Sequence, residues 1–465
     1  MKVLEKVRIT DIGAEGNSLA RIGNQVVFVP MLIPGDLVDI AVIKKRRKYL
    51  EGRVLRFHEY SSDRIKPLCR HFGVCGGCRW QHLPYSLQLK YKQNQVRDNF
   101  QRIGKVPDPP VKAIIGSGDV FYYRNKLEYT FSDRRWLTTE EINSDTDFEK
   151  EDALGFHVPG LFDKVLDIQE CHLQKDPSNA IRNAVRQYAH KRSLRFFNPR
   201  QQSGFLRNII IRNTSDGKFM VIVVFFMDEK ERREDLLDFL SSKFPQISSL
   251  IYIINSKRND SLADQDPVLY KGEACLTEDF DGLKFMIGPK SFFQTNTPQA
   301  LRLYGIAREF AELTGRETVY DLYTGAGTIA CFIASVARKV IGIEYIEEAV
   351  IDARKNSEIN GITNTVFFSG DIKDVLTEKF FEINGIPDVV ITDPPRAGMH
   401  VDVIRAILDV NPSRIVYISC NPATQARDIQ LLSGKYEVSG SQPVDMFPQT
   451  HHVENVALLT RKTLI

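Results

Sequence analysis

Cys420 closes the apolar run Arg414-Ile415-Val416-Tyr417-Ile418-Ser419 and is followed at once by Asn421-Pro422. A thiol inside an apolar segment is usually a small hydrophobe. One at the carboxyl end of a strand, beside a cofactor turn, is instead placed for nucleophilic chemistry. Glu454 follows His451-His452-Val453 and directly precedes the strand-like Val456-Ala457-Leu458-Leu459, so it too can point into a crevice, although a glutamate taken alone is most often a surface residue. The pair fits one reaction. C5 of uracil is not nucleophilic, so a thiolate must add at C6 to generate an enolate whose C5 attacks an electrophilic methyl group. A general base must then remove the C5 proton before the thiolate leaves. Cys420 and Glu454 match those two roles.

The run Val389-Val390-Ile391-Thr392 ends in Asp393-Pro394-Pro395-Arg396. Two prolines make a rigid turn that holds Asp393 and Arg396 at the sheet edge. A turn with a surface ion pair is the plainer alternative. Arg396 can steady the thiolate or the developing enolate.

A cofactor site is predicted upstream. Thr318 to Leu322 is an apolar strand running into Tyr323-Thr324-Gly325-Ala326-Gly327-Thr328, with a helix-like segment after it. Glycines at such a turn let a ligand approach the backbone. The next strand ends in Glu344, nineteen residues after Gly325, the offset at which a carboxylate accepts from a ribose diol. Asp371 ends the following unit, within reach of an adenine edge. The third glycine of the dinucleotide fingerprint is missing and no pyrophosphate cradle replaces it, which favours S-adenosylmethionine over NAD.

A separate cluster joins Cys69, Cys75 and Cys78, with Gly76-Gly77 permitting a tight wrap; Cys171 is the nearest further cysteine that can complete four thiolates. Such sets bind zinc or an iron–sulfur cluster, and spacing alone slightly favours zinc. Seven cysteines without an export signal argue against a disulfide framework.

The elements that must position these residues fall into three stretches, as expected for 465 residues with 43% hydrophobic and 26% charged content. Residues 1–60 read as short strands and turns, an OB-like β-barrel of the kind that binds nucleic acid. Residues 61–290 begin irregularly, carry a helical pattern from Pro84 to about Arg102, and turn β-rich after Phe121. Within them, 136–152 holds seven acidic residues against one lysine and is expected to be an exposed, mobile hairpin loop. From 291 to 465 strands alternate with amphipathic helices, the pattern of a doubly wound parallel sheet.

The net charge of +3 is uneven, with 20 Lys/Arg against 10 Asp/Glu in residues 1–110. That asymmetry suggests a nucleic-acid partner, with Lys44-Lys45-Arg46-Arg47-Lys48 its sharpest part, although an isolated basic run is more often a solvated loop. No stretch has the roughly 18 apolar residues of a membrane helix and no secretory segment opens the chain, so a cytoplasmic protein is expected.

With these residues in hand, the chain resembles the RNA 5-methyluridine methyltransferase family, specifically its branch acting on 23S ribosomal RNA with an N-terminal TRAM domain. The resemblance spans nearly the whole chain. It rests on Val27-Phe28-Val29-Pro30 with Pro34-Gly35-Asp36, on Cys69 to Cys78 followed by Gln81-His82, and on Ser291-Phe292-Phe293-Gln294. It continues through Asp321 to Gly327, Asp393 to Arg396, Ser419 to Pro422 and His452-Val453-Glu454.

The resemblance implies a TRAM barrel, a central α+β domain whose four cysteines hold a [4Fe–4S] cluster instead of zinc, and a Rossmann-like class I methyltransferase domain. It implies that Gln294, Tyr323, Thr328, Glu344, Asp371 and Asp393 line the cofactor and uridine pocket. Tyr129 is similar to the family's aromatic that stacks on the flipped target base. The implied substrate is 23S rRNA and the implied enzyme a monomer. Thr324 stands where many relatives have cysteine. A noncatalytic RNA-binding protein is the competing class. A tRNA enzyme of the same family is disfavoured because that branch generally lacks the barrel and the cysteine cluster.

Overall fold

The computed structural model of the chain describes residues 2–144 and 152–463. It contains three large sheets and one hairpin, in chain order. Most of the expected acidic loop, at 145–151, lies outside the described residues. Its flanks are the short helix Thr139–Ile142 and the strand Ala153–His157.

The first sheet has six strands between Val3–Arg8 and Tyr49–Glu59, antiparallel except where Gln25–Val29 runs beside Tyr49–Glu59. Alternation of burial along its strands gives a core of Val7, Ile9, Ala20, Val27, Val29, Val38 and Ile40. The irregular stretch with Cys69, Cys75 and Cys78 follows, and then the helix Tyr85–Arg102. That helix buries Val96 and Phe100 against the C-terminal sheet, so the chain touches its last domain before completing the second.

The second sheet has seven strands. Its central pair, Leu206–Asn213 and Phe219–Phe225, is apolar at almost every position because both faces are covered. Ile209, Ile211, Val221 and Val223 face the core under the helices Ser178–Lys191 and Lys230–Lys243. Ile210, Met220, Ile222 and Val224 face the opposite way, into a core shared with the C-terminal domain. The hairpin Leu276–Phe280 and Leu283–Ile287 joins this shared core through Leu276, Phe280, Phe285 and Ile287, although the sequence reading grouped it with the central stretch.

The last sheet runs in the order Thr365–Ser369, Lys339–Glu344, Thr318–Leu322, Val389–Thr392, Arg414–Ser419, Glu454–Arg461, Tyr436–Val444. The first five strands are parallel, and Glu454–Arg461 is antiparallel to both of its neighbours. The order reverses direction between Thr318–Leu322 and Val389–Thr392, and ligands of such sheets bind in the crevice beyond the carboxyl ends at that switch point. Among the described residues no helix is long and apolar enough to cross a membrane.

Candidate active site

The carboxyl edge of the last sheet gathers the residues singled out by chemistry. Thr318–Leu322 leads into Tyr323, whose φ of +63° is rare for a residue with a side chain and marks strain at the turn. Gly325 and Gly327 follow, also at positive φ. A Cβ on Gly327 would lie 2.9 Å from that of Ala353, so glycine is required for packing there, whereas nothing lies within 4 Å of the Cβ direction of Gly325. The turn therefore closes tightly on the helix Thr328–Ala334 and stays open on its other side. Gly325 N–H donates to Glu344 Oε2 at 3.1 Å, and Ile346 N–H to Glu344 Oε1 at 3.0 Å, which fixes that carboxylate at the next strand end. Asp371 caps the short helix Ile372–Val375, accepting from the Lys373 N–H. Thus Tyr323, Gly325, Thr328, Glu344 and Asp371 lie on three adjacent strand ends bordering one open turn.

Asp321, named in the sequence motif without a role, lies beneath this turn. Thr324 Oγ1 donates to its Oδ2 at 2.5 Å, and its fully buried Oδ1 meets no donor of normal geometry among the described residues. Burial, with Asp393 and Glu344 nearby, pushes Asp321 up to about 7. A buried acceptor below an open glycine turn fits a small polar, cationic cofactor.

The second half of the site comes from the two following strands. Asp393 ends Val389–Thr392, and burial pushes its carboxyl up to about 7. The Arg396 carbonyl accepts from Asn421 Nδ2 at 3.0 Å and Thr424 Oγ1 at 3.1 Å, while Asn421 Oδ1 accepts from Ala423 N–H at 3.1 Å. One residue therefore caps the helix Pro422–Leu432 and ties the Arg396 loop to it. Cys420 sits just before that cap, where the helix N-terminus favours a thiolate. In the free protein, burial, Glu454 and Asp393 outweigh this and push the thiol up to about 11, against the pull of Arg396.

Glu454 begins the antiparallel strand and is 4% exposed. Burial and the Asp393 charge push it up to about 8. Strand register runs from Arg414 opposite Thr460 to Ser419 opposite Asn455, so Cys420 and Glu454 lie just beyond the last pair, close enough for the Glu454 charge to act on the thiol. Gln294 enters from the loop before the helix Thr297–Ala311, where its carbonyl accepts from Asn125 Nδ2 at 2.8 Å. Tyr304 on that helix is buried beside Asp393, Asp321 and Glu454, and its apolar surroundings together with those charges raise its hydroxyl well above the ordinary value. Its position had no sequence signal beyond helical periodicity.

Tyr129 corrects the sequence reading. It is 0% exposed in the central core, with Phe156 at 4.9 Å and the Arg182 guanidinium at 5.0 Å from its ring. A flipped base needs an open ring face, and this one is covered on the cysteine side of the molecule. Phe292, two residues before Gln294, and Tyr345, directly after Glu344, are instead exposed, at 73% and 72%.

The four expected cysteines do come together. Cys69, Cys75, Cys78 and Cys171 line one cavity of about 220 Å³, with His71, Phe72, Gln81 and Arg124 on its walls. Gln81 Oε1 accepts the Cys69 N–H at 2.9 Å. Burial, reinforced by the neighbouring thiols, pushes Cys75 up to about 12 and Cys78 up to about 11.

Comparison with known proteins places this geometry. The family model described as tRNA (Uracil-5-)-methyltransferase matches residues 276–462, and the TRAM domain model matches residues 5–55. An uncharacterized RNA methyltransferase of Bacteroides thetaiotaomicron is 56% identical over 451 residues, covering 96% of this chain and 99% of the relative. One of Porphyromonas gingivalis is 56% identical over 464 residues, covering 98% of this chain and all of the relative. The crystal structure of the Pyrococcus abyssi tRNA (uracil-54, C5)-methyltransferase in complex with S-adenosyl-L-homocysteine superposes with a TM-score of 0.76 at 26% identity, covering 98% of this chain and 100% of that one. With its matched catalytic domain, its matched N-terminal domain and relatives aligned nearly end to end, the chain belongs to the TRAM-containing RNA uracil-5-methyltransferase family and is an S-adenosylmethionine-dependent RNA methyltransferase.

Proposed function

We propose that the chain methylates C5 of a uridine in 23S rRNA through a covalent adduct between Cys420 and C6, with Glu454 as the general base. The observation that carries this reading is the strand register that brings Cys420 and Glu454 just beyond its last pair at the carboxyl edge. The Cys420 thiolate adds to C6, forming a C–S bond, and the C5=C6 electron pair shifts toward the O4 carbonyl as an enolate. Arg396 faces the thiol and offsets the developing negative charge. Once C5 carries its new methyl group, the Glu454 carboxylate takes the C5 proton. The C–H pair restores C5=C6, and the C–S pair leaves on sulfur. A base poised near neutrality suits that task.

Gln294, Tyr323, Gly325, Thr328, Glu344, Asp371 and Asp393 would hold S-adenosylmethionine and the uracil ring. When bound, the cofactor supplies an electrophilic methyl group. The open side of Gly325 and the buried Asp321 acceptor support that fit. The four cysteines would hold a [4Fe–4S] cluster. Their shared cavity is what supports this. Four crowded, buried thiols also need a cationic partner to ionise. We take the enzyme to act in the cytoplasm as a monomer.

Replacing Cys420 by Ala tests the mechanism: 5-methyluridine formation should stop, and undiminished methylation would overturn it. A second reading, a tRNA substrate, is favoured by one observation. The Pyrococcus abyssi tRNA enzyme aligns across both chains nearly end to end, so an N-terminal barrel does not by itself mark a ribosomal enzyme. Mass-spectrometric mapping of 5-methyluridine in ribosomal and transfer RNA from cells lacking the gene decides between them.

A further inference from the structure

Residues 445–453 connect Val444 to Glu454, which pair directly with one another, so this nine-residue loop leaves and re-enters the sheet at the general base. It is gripped from several parts of the molecule. Lys92, on the helix Tyr85–Arg102, donates to Asp445 Oδ1 at 2.6 Å and to the Phe447 carbonyl at 3.0 Å. Tyr123, from the central domain, donates to the Pro448 carbonyl at 3.0 Å. The firmest grip is on Gln449. Its N–H donates to Gln88 Oε1 at 2.9 Å, and Gln88 Nε2 donates back to Gln449 Oε1 at 3.0 Å. Its carbonyl accepts the N–H groups of Arg79 at 2.9 Å and Trp80 at 3.0 Å, the two residues that follow Cys78. These contacts hold Gln449 at a φ of +67°, a conformation a non-glycine residue keeps only where its surroundings impose it.

We infer that Gln449 is a positioning residue that fixes Glu454 for removal of the C5 proton, and that the segment following the cysteine cluster sets it through Arg79 and Trp80. The inference rests on the roles proposed above for Cys420 and Glu454. It assigns the cysteine-bearing segment a task in the second half of the reaction. Cys420 is held independently, by its own strand and the Asn421 cap, so loosening the loop spares adduct formation and slows adduct breakdown. In that breakdown the proton passes from C5 to the Glu454 carboxylate as the C–S bond breaks toward sulfur.

Gln449→Gly removes the side-chain acceptor for Gln88 Nε2 while easing the backbone, and Gln88→Ala removes both halves of the exchange from the helix, so one variant covers a folding failure in the other. The probe is total RNA from cells lacking the gene, labelled with uridine tritiated at C5. Two rates are read: appearance of a denaturation-resistant protein–RNA adduct, and release of tritium to water. Adduct formation should match the wild type while tritium release slows about tenfold or more, since misplacing a reacting group by on the order of 1 Å costs up to about a hundredfold. Equal slowing of both rates, or no slowing of release, overturns the inference. A Cys420→Ala control that still forms adduct overturns the underlying mechanism instead, so the two failures are distinguishable.

Discussion

Cys420 and Glu454 lie just beyond the antiparallel pairing of Ser419 with Asn455, Cys420 after Ser419 and Glu454 before Asn455. The proposed nucleophile thus follows a parallel strand, and the proposed base begins the antiparallel one. Glu454→Gln keeps the shape and removes the base. The adduct should form and then persist, with turnover reduced about 10²- to 10⁴-fold. Electrophoresis under denaturing conditions checks this: a variant that turns over normally without trapping RNA would remove Glu454 from the mechanism.

The pH dependence follows from the same residue. Only the carboxylate accepts a proton, and burial with Asp393 pushes Glu454 up to about 8. Adduct breakdown should therefore accelerate as pH rises through about 8 and then level off. Asp393→Asn deletes the neighbouring negative charge and should move the midpoint to lower pH. Single-turnover decay of pre-formed adduct, followed across pH, gives both midpoints.

Stability carries the opposite sign. Asp321 and Asp393 are pushed up to about 7 and Glu454 to about 8, so the folded chain binds these protons more tightly than the unfolded chain does. The resulting stabilisation is present below the ordinary carboxylate range and is lost as pH rises through those values. The cofactor-free protein should melt several degrees lower at about pH 8.5 than at about pH 6, and Asp321→Asn should flatten the slope. Calorimetry across that interval measures it.

The Arg396 loop offers a steric test. Gly398 has φ +78°, and a Cβ there would lie 2.6 Å from Arg427 Nη2 and from Asp428 Oδ2. Asp428 is fully buried and accepts the Met399 N–H at 2.8 Å and the Tyr417 hydroxyl at 2.7 Å, so it has no room to withdraw. Gly398→Ala should displace the loop that carries Arg396, lowering the rate of adduct formation about tenfold or more. Stopped-flow adduct formation with the variant against the wild type reads the effect.

Strand-end placement was legible in the sequence where a candidate residue follows an apolar run. Cys420 after Ile418-Ser419, Asp393 after Ile391-Thr392 and Glu344 after Gly342-Ile343 are all displayed by the same sheet edge. Cys171 was also within reach, since four thiols have few ways to meet. What escaped was whatever depends on which face is covered. Tyr129 lies in an alternating strand, and alternation does not say whether the second face meets solvent or, as here, the Arg182 helix. Asp321 and Tyr304 escaped for a related reason: their burial beside Asp393 exists only once distant segments are packed together. The loop at 445–453 is held by partners some 350 positions away, which no local pattern encodes.

That loop supplies the last prediction. Lys92 and Asp445 are both 0% exposed and joined at 2.6 Å, a buried ion pair between a helix near the N-terminus and the entrance to the catalytic strand. Such a pair repays its desolvation only while complete, and removing one partner leaves an uncompensated buried charge at a cost of about 3–5 kcal/mol. Lys92→Met should therefore destabilise the protein by about that amount, because Asp445 is then buried without its cation. Asp445→Asn in the same chain removes the stranded charge and should recover most of the loss. Denaturant unfolding of the two single variants and the double variant measures the coupling. If the single and double variants lose the same stability, the ion pair is not what fastens this loop, and its hold on Glu454 falls to Gln449 and the backbone contacts alone.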